Sequence, residues 1–410
     1  GSIMKKICIV GGGASGLMAA LAALKSGGRV TVFEKNSEVG SKILRTGNGK
    51  CNFSNLDLNE TFYKADDPSF VKKAIDRFSN EDLVMFLTRL GLLIKEKSGW
   101  LYPYNEQAKA VRNVLLAEAV SYGADIRTDS YVNMIVKEND KFLVSVSGQK
   151  EREAFDKVII ATGGASGLIG KEKFNGFELT DGFNIKREKA LPGLVKLKCE
   201  GLDFKNLKGS RCDCNITLFV EDEPAREEAG ELIFWDEGIS GICVFSLSNH
   251  CSKALDNNKE IVVKLDFLPD FDEDGLASLI KAMCLVNIDK TVEELFAGML
   301  NDKLVKEICL SCGINLNDKV GSVGTDNILS VSHKFKNVYL VVKGTADFTD
   351  AQIMLGGIKT DELTDDFESK NVPGLYIIGE MTDVSGPCGG YNLQWAFTSG
   401  SIAGENACCS

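Results

Sequence analysis

The hydrophobic positions of the first 34 residues follow a strand, helix and strand pattern. Residues 7–10 are a short apolar run of strand length, an Ala- and Leu-rich run follows, and residues 30–33 are apolar again. The turn GGGASG joins the first strand to the helix, and Glu34 directly follows the second strand. This order of elements predicts a βαβ unit of the kind that binds dinucleotides.

The glycines of this turn sit where a dinucleotide-binding loop needs them. Gly11 permits the tight turn, Gly13 lets a pyrophosphate approach the backbone, and Gly16 lets the helix pack closely on the strand. The helix N-terminus offers N–H groups and a partial positive charge to the phosphates. Glu34 is placed to accept hydrogen bonds from ribose hydroxyls. We therefore expect the loop to bind the ADP half of a dinucleotide.

The pattern beyond this unit predicts alternating helices and strands. Helical periodicity over residues 68–91 favours two helices, the second at about 80–90, and a third helix is expected at about 106–121. Alternating apolar residues over 124–146 predict strands, and KVIIATGG at 157–164 predicts a buried strand that ends in a glycine turn. These elements continue the α/β pattern of the first unit.

The hydrophobic pattern changes at about residue 191, where short runs typical of β-strands replace the alternation of helices and strands. Helical periodicity then appears over part of the following segment, before the α/β pattern returns. This order predicts a discontinuous α/β domain that contains an insertion. The predicted ranges are 4–190 with 346–410 for the first domain and 191–345 for the insertion, of which 191–270 and 321–345 are β-rich and 271–320 is helical.

A second strand, glycine turn and helix lie near the end of the chain. Residues 374–378 form an apolar run that ends in Gly379-Glu380, and Gly389-Gly390 precede a predicted helix over 393–407. Two such units at opposite ends of a chain suit one extended cofactor, FAD. The second helix can place its positive N-terminal end at the flavin ring, where negative charge develops on reduction. An enzyme that binds only NAD has no need of this second unit.

Several motifs carry a family resemblance. VGGGASGLMAA, TGNGKCN at 46–52 and GLYIIGEMTDVSGPCGGYNLQWAFTSG at 374–400 resemble the BaiN/aminoacetone-oxidase-like family of FAD flavoproteins, and further similar positions spread the resemblance over nearly the whole chain. The resemblance implies a Rossmann-like FAD-binding domain of the GR2 type, an inserted β-barrel-like domain and a small helical subdomain. The chain departs from the family at Lys50, where Arg is common, and at Trp235-Asp236, where a Thr-His pair is common.

The resemblance and the motifs together predict which residues contact FAD. They lie on the glycine loop, after the second strand, in TGNGKCN, near the buried strand and its turn, and in the C-terminal motif. The predicted FAD-binding residues are Gly11, Gly13, Ala14, Ser15, Gly16, Glu34, Lys35, Lys42, Thr46, Gly47, Gly49, Cys51, Asn52, Val132, Thr162, Gly163, Gly379, Glu380, Asp383, Gly389, Gly390, Tyr391, Asn392 and Leu393.

Composition narrows the classes of partner. The net charge of −11 and the lack of a basic stripe in the sequence disfavour an RNA-modifying flavoprotein and a surface for anionic membranes. No apolar run reaches the roughly 18 residues of a membrane span. The 13 cysteines, with no leader segment apparent in the sequence, predict free thiols in the cytoplasm. The close cysteine sets lack the spacing of a metal site, so no metal is expected. The oligomeric state is left open.

Two residues are candidates for chemistry. Cys51 is interpreted either as a redox or proton-donating thiol or as a small packing residue. Tyr391 is interpreted either as a ring-stacking or proton-donating phenol or as a packing residue. The two histidines, His250 and His333, lie in the insertion, away from every glycine motif, so no histidine-based acid–base mechanism is indicated.

The sequence predicts an FAD-dependent oxidoreductase that transfers hydride through flavin N5. The resemblance favours NAD(P)H-dependent reduction of an activated C=C bond in a hydrophobic, steroid- or bile-acid-like ketone. No second GxGxxG motif is present for a separate NAD(P)-binding domain, so the nicotinamide is expected to enter transiently. The alternatives are a flavin oxidase of a small amine such as aminoacetone and, from another class, a non-catalytic flavin redox sensor.

Overall fold

A computed structural model describes residues 3–168 and 172–410 of the chain. It divides into two compact units, the first made of Gly1–Leu191 with Ile353–Ser410 and the second of Pro192–Gln352. The helices are α1 (Ala14–Lys25), α2 (Ser41–Arg45), α3 (Pro68–Arg77), α4 (Asn80–Arg89), α5 (Ala108–Ser121), α6 (Gly176–Asp181), α7 (Phe204–Leu207), α8 (Ile242–Asp256), α9 (Glu273–Val286), α10 (Val292–Phe296), α11 (Asp302–Ser311), α12 (Val320–Val323), α13 (Thr325–Phe335) and α14 (Tyr391–Cys409).

The strands within the described residues fall into five sheets. They are β1 (Lys6–Val10), β2 (Arg29–Phe33), β3 (Ser54–Asn55), β4 (Ile94–Lys97), β5 (Trp100–Pro103), β6 (Asp125–Arg127), β7 (Val132–Glu138), β8 (Lys141–Val146), β9 (Glu153–Phe155), β10 (Lys157–Ile160), β11 (Arg187–Gly193), β12 (Leu197–Glu200), β13 (Arg211–Val220), β14 (Glu223–Trp235), β15 (Gly238–Ser240), β16 (Ile261–Asp266), β17 (Val338–Thr345), β18 (Ile353–Ile358) and β19 (Leu375–Ile377). None of the helices in the described ranges is long and apolar enough to cross a membrane.

The first unit is built on a parallel sheet with the strand order β19, β10, β1, β2, β6. Ile9 of β1 pairs with Ile159 of β10 on one side and with Val32 of β2 on the other. All three side chains are fully buried, as expected for a parallel sheet covered on both faces. Because the strands are parallel, the carboxyl ends of β1, β10 and β19 lie at the same end of the sheet, where ligands of such sheets bind.

Helices α1 and α14 pack closely in this unit through small residues. A Cβ placed on Gly400 of α14 would lie 2.5 Å from the Ser15 carbonyl oxygen, and one on Gly404 would lie 2.3 Å from the Ala19 carbonyl oxygen. Only glycine therefore permits this approach of the two backbones. The contact joins the helices that follow the two glycine turns, although they lie at opposite ends of the sequence.

Three smaller sheets complete the first unit. Two of them are three-stranded, with the orders β3, β5, β4 and β7, β8, β9. The third pairs β11 with β18. The sequence correctly indicated strands within 124–146, and the structure places β6, β7 and β8 there.

The second unit contains a closed barrel with the strand order β12, β15, β14, β13, β16, β17. Inward-facing residues such as Leu218, Val263 and Leu340 are fully buried, so side chains fill the barrel interior. The sequence predicted β-rich structure at 321–345, and this was wrong for its first part, which forms α12 and α13. Ile328, Val331 and Phe335 are buried at the 3- and 4-residue spacing of a helix.

Two further sequence predictions need correction. The region 191–270 contains the 15-residue helix α8, whose buried face includes Val244, Leu247 and Cys251 at helical spacing. The second unit also ends at 352 rather than 345. The Ala346 N–H donates to the Lys196 carbonyl oxygen at 3.0 Å and the Gln352 N–H to that of Leu194 at 3.3 Å, so these residues stay with the barrel.

Candidate functional site

The glycine loop between β1 and α1 packs tightly against backbone atoms at Gly11 and Gly16 and borders open space at Gly13. A Cβ on Gly11, which has φ +107°, would lie 2.2 Å from the Ala161 carbonyl oxygen, and one on Gly16 would lie 1.9 Å from that of Gly11. By contrast, no heavy atom of the described residues beyond its chain neighbours lies within 4 Å of a Cβ placed on Gly13. Gly13 therefore borders open space at the N-terminus of α1, where a phosphate group would lie.

Glu34 is held in place at the end of β2. Its side chain is 7% exposed, and its two carboxylate oxygens accept from the Gly12 N–H at 3.1 Å and the Asn36 N–H at 2.9 Å. Burial raises the pKa of Glu34, and the two backbone N–H groups act in the opposite direction. The carboxylate is thus oriented beside the glycine loop with lone pairs left for ribose hydroxyls.

Lys42 links the glycine turn after β10 to the C-terminal motif. Its Nζ donates to the Gly164 carbonyl oxygen at 2.9 Å and lies 3.8 Å from Glu380 Oε2. Glu380 Oε1 accepts from the Met354 N–H at 2.6 Å. Lys35 points elsewhere, since its Nζ donates to the Lys173 carbonyl oxygen. Of the two predicted lysines, only Lys42 contacts other predicted site residues directly.

Thr162 carries a polar atom that the fold itself does not satisfy. Its buried Oγ1 has no hydrogen-bond partner among the described residues. The next residue, Gly163, has φ +71°, and the nearest atom to a Cβ placed on it is Lys42 Nζ at 3.9 Å. The Thr162 hydroxyl oxygen faces Gly176, since a Cβ placed on that glycine would lie 2.4 Å from it. The open space at Gly13 is the feature of this region that fits a bound FAD.

The TGNGKCN segment forms a tight turn of left-handed residues. Gly47 and Asn48 both have φ +55° within the 3-10 turn Thr46–Gly49. The Thr46 hydroxyl donates to the Ile43 carbonyl oxygen at 2.6 Å. Asn52 is buried and donates to the carbonyl oxygens of Ser54 at 2.9 Å and Leu101 at 3.0 Å. The side chains of Thr46 and Asn52 therefore hold the turn, which leaves backbone groups for a cofactor.

Cys51 is a buried neutral thiol. It is 0% exposed, and burial raises its pKa to about 12, while a hydrogen bond with the Thr46 side chain acts in the opposite direction. A thiolate is the reactive form of cysteine. The surroundings of Cys51 thus favour its role in packing over its role as a nucleophile, although its part in catalysis stays a prediction.

The C-terminal motif turns at Gly390, which has φ +91° and precedes α14. The Asn392 side chain accepts from the Gly386 N–H at 2.8 Å and donates to the Gly386 carbonyl oxygen at 2.9 Å. It thereby closes the loop between Gly386 and the helix. The first N–H groups of α14 lie at the end of this loop, where helices bind negative charge.

Tyr391 is packed among aromatic rings. Its hydroxyl donates to the Asp57 carbonyl oxygen at 2.9 Å, and its ring centroid lies 5.5 Å from that of Phe62 and 6.0 Å from that of Tyr63. Burial, with a smaller contribution from Asp57, raises its pKa to about 12. The hydroxyl is neutral and already engaged, which favours packing. Its proposed stacking or proton-donating role stays a prediction.

A buried contact joins the segment that follows TGNGKCN to the C-terminal motif, 340 residues away in sequence. Ser54 Oγ donates to Gln394 Oε1 at 2.6 Å, and Asn55 Nδ2 donates to the Gly389 carbonyl oxygen at 3.1 Å. A Cβ on Gly390 would lie only 2.4 Å from the Ser54 carbonyl oxygen. Sequence reasoning did not single out Ser54 or Gln394. The available signal was a glutamine among the apolar residues of a predicted helix.

The remaining predicted residues have mainly backbone roles in the structure. The Val132 carbonyl oxygen accepts from Asn175 Nδ2 at 2.8 Å. The Gly379 N–H donates to Ser399 Oγ at 3.0 Å, and the Asp383 N–H donates to the Ile358 carbonyl oxygen at 2.8 Å. Leu393 is half-buried on the first turn of α14. Within the described part of the chain, no three His, Cys, Asp or Glu side chains are arranged to bind a metal.

Comparison with known proteins identifies the family. The family described as the HI0933-like protein Rossmann domain matches residues 5–406. The chain belongs to this family. A relative from Clostridium scindens, named 3-dehydro-bile acid delta(4,6)-reductase, is 34% identical over 98% of this chain and 99% of its own length. A ribosomal RNA dihydrouridine synthase from Haemophilus influenzae is 30% identical over 95% of each chain.

The fold comparison agrees with the family. The solved structure of 3-ketosteroid delta1-dehydrogenase from Sterolibacterium denitrificans is 11% identical, with a TM-score of 0.52 over the full length of both chains. At this identity the likeness concerns the fold alone. Membership of the HI0933-like family confirms the BaiN-like resemblance and the Rossmann-type FAD domain, and the protein is an FAD-dependent oxidoreductase.

Proposed function

We propose that this protein uses NAD(P)H to reduce a C=C bond conjugated to a carbonyl group in a hydrophobic, steroid-like ketone. The observation that carries the proposal is full-length similarity to the 3-dehydro-bile acid delta(4,6)-reductase at 34% identity. The dihydrouridine synthase relative supports the reaction type, because dihydrouridine is uridine with its carbonyl-conjugated C=C bond reduced. The bile-acid relative has the higher identity, which favours the ketone as the substrate class.

The residues of the first unit divide the binding of FAD between them. The open space at Gly13 and the N-terminus of α1 would hold the pyrophosphate, and Glu34 would accept from the ribose hydroxyls. The chemistry that FAD supplies when bound is hydride transfer through N5. The positive end of α14 would favour the negative charge that develops on the ring during reduction.

The proposed reaction needs a proton donor in addition to the hydride from the flavin. Reduction of an activated C=C bond adds a hydride to one carbon and a proton to the other. Cys51 and Tyr391 both have a pKa of about 12, so both are neutral acids at pH 7 rather than bases. Tyr391 donates to the Asp57 carbonyl oxygen and would have to release this bond in order to protonate a substrate. They remain our candidate proton donors.

An anaerobic stopped-flow experiment tests the proposal. The oxidised holoenzyme is mixed with NADH, NADPH or aminoacetone while flavin absorbance is followed. We expect either nicotinamide to bleach the flavin and aminoacetone to leave it oxidised. The reduced enzyme is then mixed with a 3-keto-Δ4 steroid, and reoxidation should accompany a product 2 Da heavier. Bleaching by the amine alone would identify an oxidase, and no bleaching by any donor would identify a redox sensor.

A second arm separates the ketone from an RNA substrate. The reduced enzyme is mixed with a uridine-containing ribosomal RNA fragment under the same conditions. Our proposal expects the steroid to reoxidise the flavin faster than the RNA does. Reoxidation by the RNA, with dihydrouridine in the nuclease digest and no steroid product, would assign the protein to the activity of its dihydrouridine synthase relatives instead.

A further inference from the structure

The hairpin of β4 and β5 carries a row of aromatic and lysine side chains on one face. In its antiparallel register Lys97 lies opposite Trp100, and Lys95 lies opposite Tyr102. The Tyr104 N–H donates to the Leu93 carbonyl oxygen at 2.8 Å and continues the ladder by one pair. Because alternate residues of a strand share a face, Trp100, Tyr102 and Tyr104 line up beside the two lysines. We call these five residues the aromatic–lysine face.

The lysines lie over the aromatic rings. Lys95 Nζ is 4.7 Å from the ring centroid of Tyr104, and Lys97 Nζ is 5.8 Å from that of Tyr102. Tyr104 is 58% exposed, whereas Leu101 on the opposite face of β5 is buried. The buried side of the hairpin is thus occupied by the protein, and the aromatic–lysine face is directed to solvent.

The aromatic–lysine face carries more positive than negative charge. Glu106 pairs with both lysines, with its Oε2 at 3.6 Å from Lys95 Nζ and its Oε1 in contact with Lys97. The positive charge of Lys50 also acts on Glu106, and all three lysines lower the pKa of this carboxyl. Glu96, on the other face of β4, accepts from the Gly99 N–H at 2.5 Å. Two lysines therefore contact one carboxylate and the charge of a third acts on it, so an anionic ligand could replace this carboxylate.

The aromatic–lysine face begins at the turn that precedes α14. Trp100 pairs with Asn55 of β3, and Asn55 donates to the Gly389 carbonyl oxygen. Trp100 Nε1 would lie 3.3 Å from a Cβ placed on Gly389. The face thus starts beside the predicted flavin turn and runs away from it for about 14 Å at 3.4 Å per residue.

We propose that the aromatic–lysine face binds the adenosine diphosphate half of the reduced nicotinamide dinucleotide. Lys95 and Lys97 would pair with the diphosphate, and the tyrosine rings would stack on adenine. The charge and the ring surface complement such a ligand, and the sequence holds no second GxGxxG motif to bind it. The inference rests on the proposed function, which requires this donor, and it assigns to named residues the place where the donor docks.

The test uses the holoenzyme and variants with opposite expected effects. The dissociation constants of NADP⁺ and NAD⁺ are measured by calorimetry. The donor concentration that gives half the maximal rate of flavin reduction is measured by stopped flow. K95A/K97A should raise both quantities at least ~tenfold, in line with the loss of charge-assisted bonds, and leave the rate at saturation within twofold. E106Q should lower both, because it frees the lysines.

The matched control is K72A/K73A on α3, where exposed lysines pair with Asp76 and Asp365, and it should change neither quantity. Unchanged dinucleotide binding in both K95A/K97A and E106Q would overturn the inference. If NAD(P)H still reduced the flavin in that case, the proposed function would stand. Loss of single-stranded RNA binding in K95A/K97A, with dinucleotide binding unchanged, would also overturn it. Wild-type flavin that neither nicotinamide reduces would refute the proposed function itself.

Discussion

At the scale of single residues, the glycines of the first loop have different structural roles. A Cβ on Gly16 would lie 1.9 Å from the Gly11 carbonyl oxygen, whereas a Cβ on Gly13 would project into open space. The same residue type therefore serves packing at one position and borders open space at the other, where we expect the ligand.

This difference predicts opposite behaviour of two alanine variants. G13A should keep the free energy of unfolding of the apoprotein within ~1 kcal/mol of wild type, because the new methyl group meets no atom. It should weaken FAD binding at least ~tenfold, because the methyl group occupies the phosphate space. G16A should cost ~2 kcal/mol or more in the apoprotein. Urea unfolding and FAD titration by fluorescence measure both effects, and equal FAD affinity in G13A and wild type would contradict the assignment.

Cys51 yields a prediction from its pKa. Burial raises this pKa to about 12, so the thiolate fraction at pH 8 is on the order of 10⁻⁴. Iodoacetamide at pH 8 should therefore label the exposed Cys409 and leave Cys51 unmodified in the folded protein, with labelling that grows as the pH approaches 12. Peptide mass spectrometry reads out both sites. Rapid labelling of Cys51 at pH 8 would instead support its role in chemistry.

At the scale of elements, the FAD domain depends on contacts between segments that are distant in sequence. Ser54 at β3 donates to Gln394 of α14, and Gln394 in turn donates to Thr398 Oγ1 at 3.0 Å. All three residues are fully buried. This chain of hydrogen bonds fixes the start of α14 against β3, which follows the TGNGKCN turn, so we regard Ser54 and Gln394 as positioning residues.

We predict that these two residues are energetically coupled. S54A leaves the Gln394 carbonyl oxygen buried without its donor and should cost ~1–3 kcal/mol in the free energy of unfolding. Q394M leaves the Ser54 hydroxyl unpaired, and the double variant should cost less than the sum of the two. S121A, at an exposed position on α5, is the control and should cost under ~0.5 kcal/mol. Strict additivity in urea unfolding would show that the pair does not act as a unit.

The elements also show what the sequence pattern can and cannot predict. The βαβ unit, the helices at 68–91 and the final helix follow from local periodicity and glycine positions, and the structure confirms them. Helix α8 was missed because its buried face includes Ser and Cys residues, which carry a weak hydrophobic signal. The Ser54–Gln394 bond and the aromatic–lysine face were missed because each depends on contacts or strand register that a linear pattern does not encode.

At the scale of the whole molecule, the first unit brings the two ends of the chain together around one expected ligand. The close packing of α1 against α14 through Gly400 and Gly404 places two helices with positive N-termini in one domain. A dinucleotide held only by the first βαβ unit would leave the second helix without a ligand. We therefore expect a single FAD to reach from one glycine turn to the other.

This arrangement predicts that FAD protects both ends of the chain at once. In hydrogen exchange of apoprotein and holoprotein, we expect FAD to slow exchange in residues 11–16 and in residues 389–393, which surround the two helix N-termini. NAD⁺ added to the apoprotein in place of FAD should slow exchange in the first segment alone. Peptides of α11 (Asp302–Ser311) in the second unit serve as the internal control and should exchange equally in apoprotein and holoprotein. Protection by FAD confined to residues 11–16 would show that α14 does not bind the flavin, and the assignment of Gly389, Gly390 and Asn392 to the cofactor site would then be wrong.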